Sequence, residues 1–186
     1  MALVLGTNLG FVTESPVADP VDSSVECDNR AFTFKDTSPA TATAVTEIGV
    51  WIDNATEAAE FTLGIYADNA GEPAALLGSV TVAKGTSSGW KFQSCNIAIS
   101  SSTPYHIGAQ LDNTSAKTYA NWDVATGETR LKLTETTLTN PWGSSDASYD
   151  NRKFGVYAVW EAGGEPEGFN PWFIRSNKRG GKLSKR

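Results

Sequence analysis

Apolar and polar residues alternate with a period of two along most of this chain, which is the pattern of half-buried β-strands. From Thr46 to Asp53, Ile48, Val50 and Ile52 share one face, and Glu47, Gly49, Trp51 and Asp53 share the other. From Phe61 to Ala67, Phe61, Leu63 and Ile65 point to the core side, opposite Thr62, Gly64 and Tyr66. From Pro104 to Leu111, Tyr105, Ile107, Ala109 and Leu111 oppose His106, Gly108 and Gln110. Further strands are predicted at Arg30–Lys35, Leu76–Ala83, Trp90–Ile99, Thr118–Val124 and Glu128–Leu133. The last two read as a pair joined by Ala125-Thr126-Gly127. Lys153–Glu161 is apolar on both faces and is therefore expected at the centre of a sheet.

Turn-forming clusters separate these runs: Asp53-Asn54, Asp68 to Pro73, Gly85 to Gly89, Ser100 to Pro104, Asp112-Asn113 and Asn140 to Asp150. About nine or ten short strands at this spacing predict an all-β, two-sheet antiparallel β-sandwich or jelly roll. Residues 30–161 form the sandwich domain on this reading. Residues 1–29, rich in Pro, Asp and Ser, form an extended N-terminal arm with one short strand near Leu9–Thr13. Residues 162–186 form a linker, Gly163 to Gly168, and an aromatic–basic C-terminal tail.

Composition agrees with strands. Charged residues are only 19 % of the chain, and small polar residues are plentiful. No run approaches the roughly 20 apolar residues of a membrane span. Met1 to Thr13 lacks a basic segment and a long apolar core, so a cytoplasmic site of synthesis and assembly is expected. Two cysteines are too few for a disulfide framework or a metal cage. Cys95 shares a face with Ile97 and Ile99 and reads as a buried free thiol, with a Cys27–Cys95 bridge as the other reading.

Charge is divided unevenly. The net charge is −6, from 15 basic and 21 acidic residues. Arg175, Lys178, Arg179, Lys182, Lys185 and Arg186 stand together with no acid among them. An acidic body disfavours nucleic acid as its ligand. The tail opens with Phe169, Trp172, Phe173 and Ile174, a sticky patch unless something covers it. These ten residues are expected to dock a partner that is acidic or offers a strand edge or groove; six charges suit an acidic protein surface as well as nucleic acid.

Catalytic signals are weak. The single histidine, His106, reads as a surface residue on a sheet, and no Gly-x-Ser-x-Gly elbow, phosphate loop or dinucleotide motif is present. No cofactor is expected. Asp68, Asn69 and Glu72 around Gly71 form a weak calcium-loop candidate, since oxygen ligands about a glycine turn suit that ion. The same residues also make an ordinary turn. Trp51 and Tyr66 fall on the non-core side of their strands, and Trp142 lies in a long loop. These three form a candidate glycan platform, unless a loop, a second layer or a neighbouring subunit covers them. Trp90, Trp122 and Trp160 are expected in core or loop packing.

The stretches Thr46 to Asp53, Phe61 to Pro73 and Thr103 to Gly108 carry a resemblance. Together they resemble jelly-roll modules of tailed-bacteriophage virion proteins, and carbohydrate-binding modules of similar architecture. The resemblance spans about Ala31 to Trp160 and rests on core strands and one hairpin turn. It implies a structural, often homo-oligomeric virion part, such as a capsid-decoration, neck or tail-fibre component, with other virion proteins as partners. It carries over no binding residue.

Overall fold

The computed structural model describes residues 23–53, 59–111, 118–124 and 128–162. Among them every regular element is a β-strand. The chain runs through β1 (Ser23–Glu26), β2 (Arg30–Thr37), β3 (Ala42–Asp53), β4 (Glu60–Asn69), β5 (Glu72–Ala83) and β6 (Gly89–Ala98). It continues through β7 (Pro104–Leu111), β8 (Tyr119–Val124), β9 (Glu128–Lys132), β10 (Ala147–Tyr149), β11 (Arg152–Phe154) and β12 (Val156–Ala162).

Two antiparallel sheets form a β-sandwich, as the alternation predicts. The first sheet holds β1, β3, β6, β8, β11 and β12, with β3 flanked by β6 and β12 and touched at its end by β8. The second has the order β10-β9-β2-β7-β4-β5. Ile48, Val50 and Ile52 of β3 face Phe61, Leu63 and Ile65 of β4 and Ile107, Ala109 and Leu111 of β7 in one core. Each large side chain buried in this way contributes roughly 1.5–3 kcal/mol. Phe32 of β2 stacks on Phe154 of β11 at 4.4 Å between ring centroids and ties the two sheets together.

Three expectations are corrected. The sheets begin before Arg30, because β1 pairs with β8 over Ser23–Glu26. The strand expected near Leu9–Thr13 and the tail from 163 onward lie outside the described residues. Thr118–Val124 and Glu128–Leu133 are not a hairpin. β8 belongs to the first sheet and β9 to the second, so the chain crosses the sandwich between them. Lys153–Glu161 is not one central strand. It divides at Gly155, whose N–H donates to the Asn121 C=O (3.0 Å) and whose C=O accepts from the Trp51 N–H (2.7 Å). β11 thereby pairs with β8, and β12 pairs with β3 alone among the described strands. β12 is apolar on its outer face because the Tyr157 ring lies over Gly49, not because strands flank it on both sides.

Both cysteines are free. Cys27 is buried in the core, and Cys95 is partly buried with its Sγ 3.3 Å from the Val45 C=O. Burial pushes the Cys95 thiol up to about 11, and the Glu47 carboxylate adds to the effect, so it is a poor nucleophile at neutral pH.

Candidate functional site

Among the described residues a gathering of ionisable side chains lies on the outer face of the second sheet. The registers explain it. Lys35 of β2 is opposite His106 of β7 and Glu128 of β9, and Thr33 is opposite Arg130. Tyr66 of β4 is opposite His106. The β4–β5 hairpin then brings Asp68 and Glu72 over the same end. Its turn places Ala70 and Gly71 at φ of 54° and 94°, the mirror-image geometry of a two-residue hairpin turn. The Gly71 N–H donates to both Asp68 oxygens, at 3.2 and 3.3 Å.

The charges form one chain of contacts. His106 Nε2 is 2.9 Å from Asp68 Oδ1. Lys35 Nζ lies 3.5 Å from the same oxygen and 3.1 Å from Glu128 Oε1. Arg130 Nη2 is 3.7 Å from Glu128 Oε2, and Arg130 Nε donates to Glu72 Oε1 at 2.6 Å. Glu72 Oε2 accepts from Ser145 Oγ (3.1 Å), which accepts from Trp142 Nε1 (3.0 Å).

His106 departs from the expectation of an exposed sheet residue. It is fully buried, not a surface residue. β7 is flanked by β2 and β4, and its outer face is covered by Tyr66, whose ring lies over Gly108. Burial drives the imidazole below its ordinary value and outweighs the upward pull of Asp68. Burial alone would raise Asp68. The His106 and Gly71 hydrogen bonds and the Lys35 charge overcome it and hold the carboxyl below its usual range. An ionised carboxylate only accepts, so Nε2 carries the proton of a neutral imidazole. Nδ1 is buried and has no hydrogen-bond partner.

A roof covers the rest of this face. Residues 133–146, between β9 and β10, fold back over it. The Trp142 N–H donates to the Ala74 C=O (2.9 Å), and Asn140 Oδ1 accepts from the Leu76 N–H (3.0 Å). The Tyr66 hydroxyl donates to the Thr139 C=O at 2.9 Å. Trp142 meets Tyr66 edge to face, with ring centroids 5.3 Å apart. Tyr66 and Trp142 are 0 % and 1 % exposed. Two members of the candidate glycan platform are therefore brought together, but as packing under a loop, with no ring face open to a sugar.

Asp68 and Glu72 are likewise turned to cations of the chain itself, and Asn69 is exposed at the turn. The calcium candidate is a capped hairpin turn. Among the described residues no three His, Cys, Asp or Glu side chains are grouped to hold a metal.

Trp51 lies on the first sheet, away from the other two. It stands across from Trp90 in the β3–β6 register, edge to face at 5.5 Å. Trp90 in turn meets Tyr157 at 5.3 Å. The Tyr157 hydroxyl donates to Glu47 Oε1 at 2.8 Å. Phe92, opposite Gly49, is 54 % exposed at the edge of this group. Trp90 thus packs against its neighbours as expected, and Trp122 packs partly buried against the core.

The docking residues Phe169, Trp172, Phe173, Ile174, Arg175, Lys178, Arg179, Lys182, Lys185 and Arg186 lie outside the described residues. Sequence reasoning missed Lys35 as a partner of Asp68, and Glu128 and Arg130 as the next members of the same network, because strands far apart in sequence bring them together. The usable signal was parity alone: each falls on the non-core side of its strand. No family model, curated protein or solved structure matches this chain.

Proposed function

We propose that this protein is a non-enzymatic structural part of a bacteriophage particle, a β-sandwich body held to other virion proteins by its C-terminal tail. One observation carries the non-enzymatic reading. The single histidine spends Nε2 on Asp68 inside a network in which Asp68, Glu72 and Glu128 each face Lys35 or Arg130. General acid–base chemistry needs such a group beside a reacting atom, whereas this one is fully buried within the sheet. The network works as a brace, and the roof of residues 133–146 is tied to β4 and β5 by hydrogen bonds. The jelly-roll resemblance and a tail of charge opposite to the body support the virion role. Deleting Gly168–Arg186 tests it: the truncated protein is expected to fold and to be lost from particles. Normal incorporation would overturn the docking role.

A second reading rests on Phe92. Its exposed ring beside Trp51 and Trp90 makes an aromatic edge on the first sheet, the kind of surface on which sugars stack. Glycan-array binding that disappears in a Trp51→Ala, Phe92→Ala variant supports host-surface adhesion. Unchanged binding in that variant removes the reading.

A further inference from the structure

One side of the sandwich is built differently from the rest. β5 ends the second sheet and β6 ends the first, and the two edges lie next to each other. A Cβ placed on Gly78 of β5 would come 2.9 Å from Ile97 Cγ1 of β6, so the edges are in close contact. Among the described strands, β5 pairs only with β4 and β6 only with β3.

Natural edge strands are usually protected by charge, proline, shortness or a cover. β5 is twelve residues long, and from Ala74 to Ala83 it has neither a charge nor a proline. Its exposed side chains there are Ala75, Leu77, Ser79, Thr81 and Ala83. The acid-free run is longer still: no Asp or Glu occurs from Pro73 to Leu111, in a chain with 21 of them. Of the two lysines in the β5–β6 region, Lys84 is buried against Thr118 Oγ1 (2.7 Å) and Lys91 is partly buried.

The open part of the edge can be located. The Lys84 N–H donates to the Ala59 C=O (2.9 Å), one step beyond the Glu60–Ala83 pair. Hydrogen bonding alternates along an antiparallel pair. Val82, Val80 and Gly78 therefore turn their backbone groups toward β4, and Ala83, Thr81 and Ser79 turn theirs outward. At the other end Trp142 and Asn140 already cap Ala74 and Leu76. Among the described residues the ladder is thus closed at one end by the loop of residues 133–146 and open from Leu77 to Ala83.

We infer that this edge pairs with the same edge of a second copy, antiparallel, about a two-fold axis at Thr81. Ser79 then exchanges hydrogen bonds with Ala83 of the second copy, and Thr81 with its own counterpart. Two acidic bodies repel each other over surfaces that carry carboxylates. They meet without like-charge contact over Ala74–Ala83 of β5 and along β6, which carry no carboxylate. About this axis the paired run is Ser79–Ala83, roughly 17 Å of strand, with β6 beside it on the same side of the sandwich. Sheet continues into sheet, and β6 meets its own copy alongside. The inference goes beyond the virion role and does not depend on what the tail binds.

Sedimentation of the purified full chain at tens of micromolar tests it, with circular dichroism to monitor folding. The wild type is expected to sediment at about twice its 19.8 kDa chain mass. Thr81→Pro removes an outward N–H without breaking a bond to β4. Thr81→Lys sets two ammonium groups face to face at an exposed position. Each is expected to weaken the dimer about tenfold or more. If the proline variant fails to fold, the lysine variant still gives the answer. A wild-type monomer, or a dimer indifferent to Thr81→Lys, overturns the pairing. A monomer that still enters particles overturns it while leaving the virion role standing.

Discussion

A methyl group on Gly49 would sit 2.1 Å from the Tyr157 ring, so only glycine lets that ring lie flat on β3. Glycine inside a strand ordinarily weakens it, by roughly 0.5–1 kcal/mol relative to alanine. Here the sign reverses. Gly49→Ala is expected to destabilise the fold by about 1–3 kcal/mol, the usual cost of overpacking, read from urea unfolding. A neutral or stabilised variant would show that the Tyr157 ring has somewhere else to go. His106 sets a second test. Its imidazole is held below the ordinary value of 6.5 in the folded protein, so the unfolded chain binds the proton more readily. The stability this provides is complete above about pH 6.5 and is lost as pH falls below it. Asp68, with its lowered carboxyl, adds a further loss in stronger acid, below about pH 4. As the only histidine, His106 gives one unambiguous set of imidazole NMR signals. Their titration midpoint is expected below 6.5, and a midpoint at or above 6.5 would contradict the buried, neutral assignment. The alternation placed Gly49 and His106 on the outer side of their strands, which is where they are. It does not show what covers an outer face, so Tyr157 over Gly49 and Lys35 beside His106 were not legible.

The roof of residues 133–146 shows the same limit at the scale of an element. Asn140-Pro141-Trp142-Gly143 reads as an exposed turn, since those residue types punctuate loops. Its position is set by partners in other strands: the Ala74 C=O, the Leu76 N–H and the Tyr66 hydroxyl. Trp142 is the keystone, with its ring on Tyr66, its indole N–H on Ser145 and Lys132 Nζ 5.4 Å from its ring centroid. Trp142→Ala is expected to cost about 3–5 kcal/mol, as for other buried aromatic rings. It should also speed exchange of the Leu76 amide, whose acceptor Asn140 rides on the same loop. An unchanged unfolding midpoint would mean that the loop is an ornament. The strongly alternating strands β3, β4 and β7 were legible because each has one face in the core. β12 misled because Tyr157 makes its outer face apolar, and β8 and β9 misled because a short link can cross a sandwich as readily as it can turn a hairpin.

On the scale of the molecule, the order in which the chain visits the two sheets decides how it can fold. After β2 in the second sheet comes β3 in the first, then β4 and β5 in the second, β6 in the first, β7 in the second, β8 in the first, and β9 and β10 in the second. β11 and β12 close the first sheet. Neither sheet is a continuous piece of chain. β1 waits for β8, and β3 waits for β12, which lies more than a hundred residues further on. Neither sheet can therefore form first and keep its apolar face covered, because that cover is made of strands interleaved with its own. Loop-closure entropy must be met before most contacts form, which places folding between about a millisecond and seconds. Both sheets are expected to be lost in one cooperative transition. Fluorine-labelled tryptophan supplies probes on both sheets: Trp51 and Trp90 on the first, Trp142 over the second. In a urea titration their native signals should fade with a single midpoint and a single slope. An earlier midpoint for Trp142 would make the roof a separately melting unit. An earlier midpoint for the Trp51–Trp90 pair would mean that the first sheet can part from the second with the Phe32–Phe154 stack broken, and interleaving would then not be what holds the sandwich together.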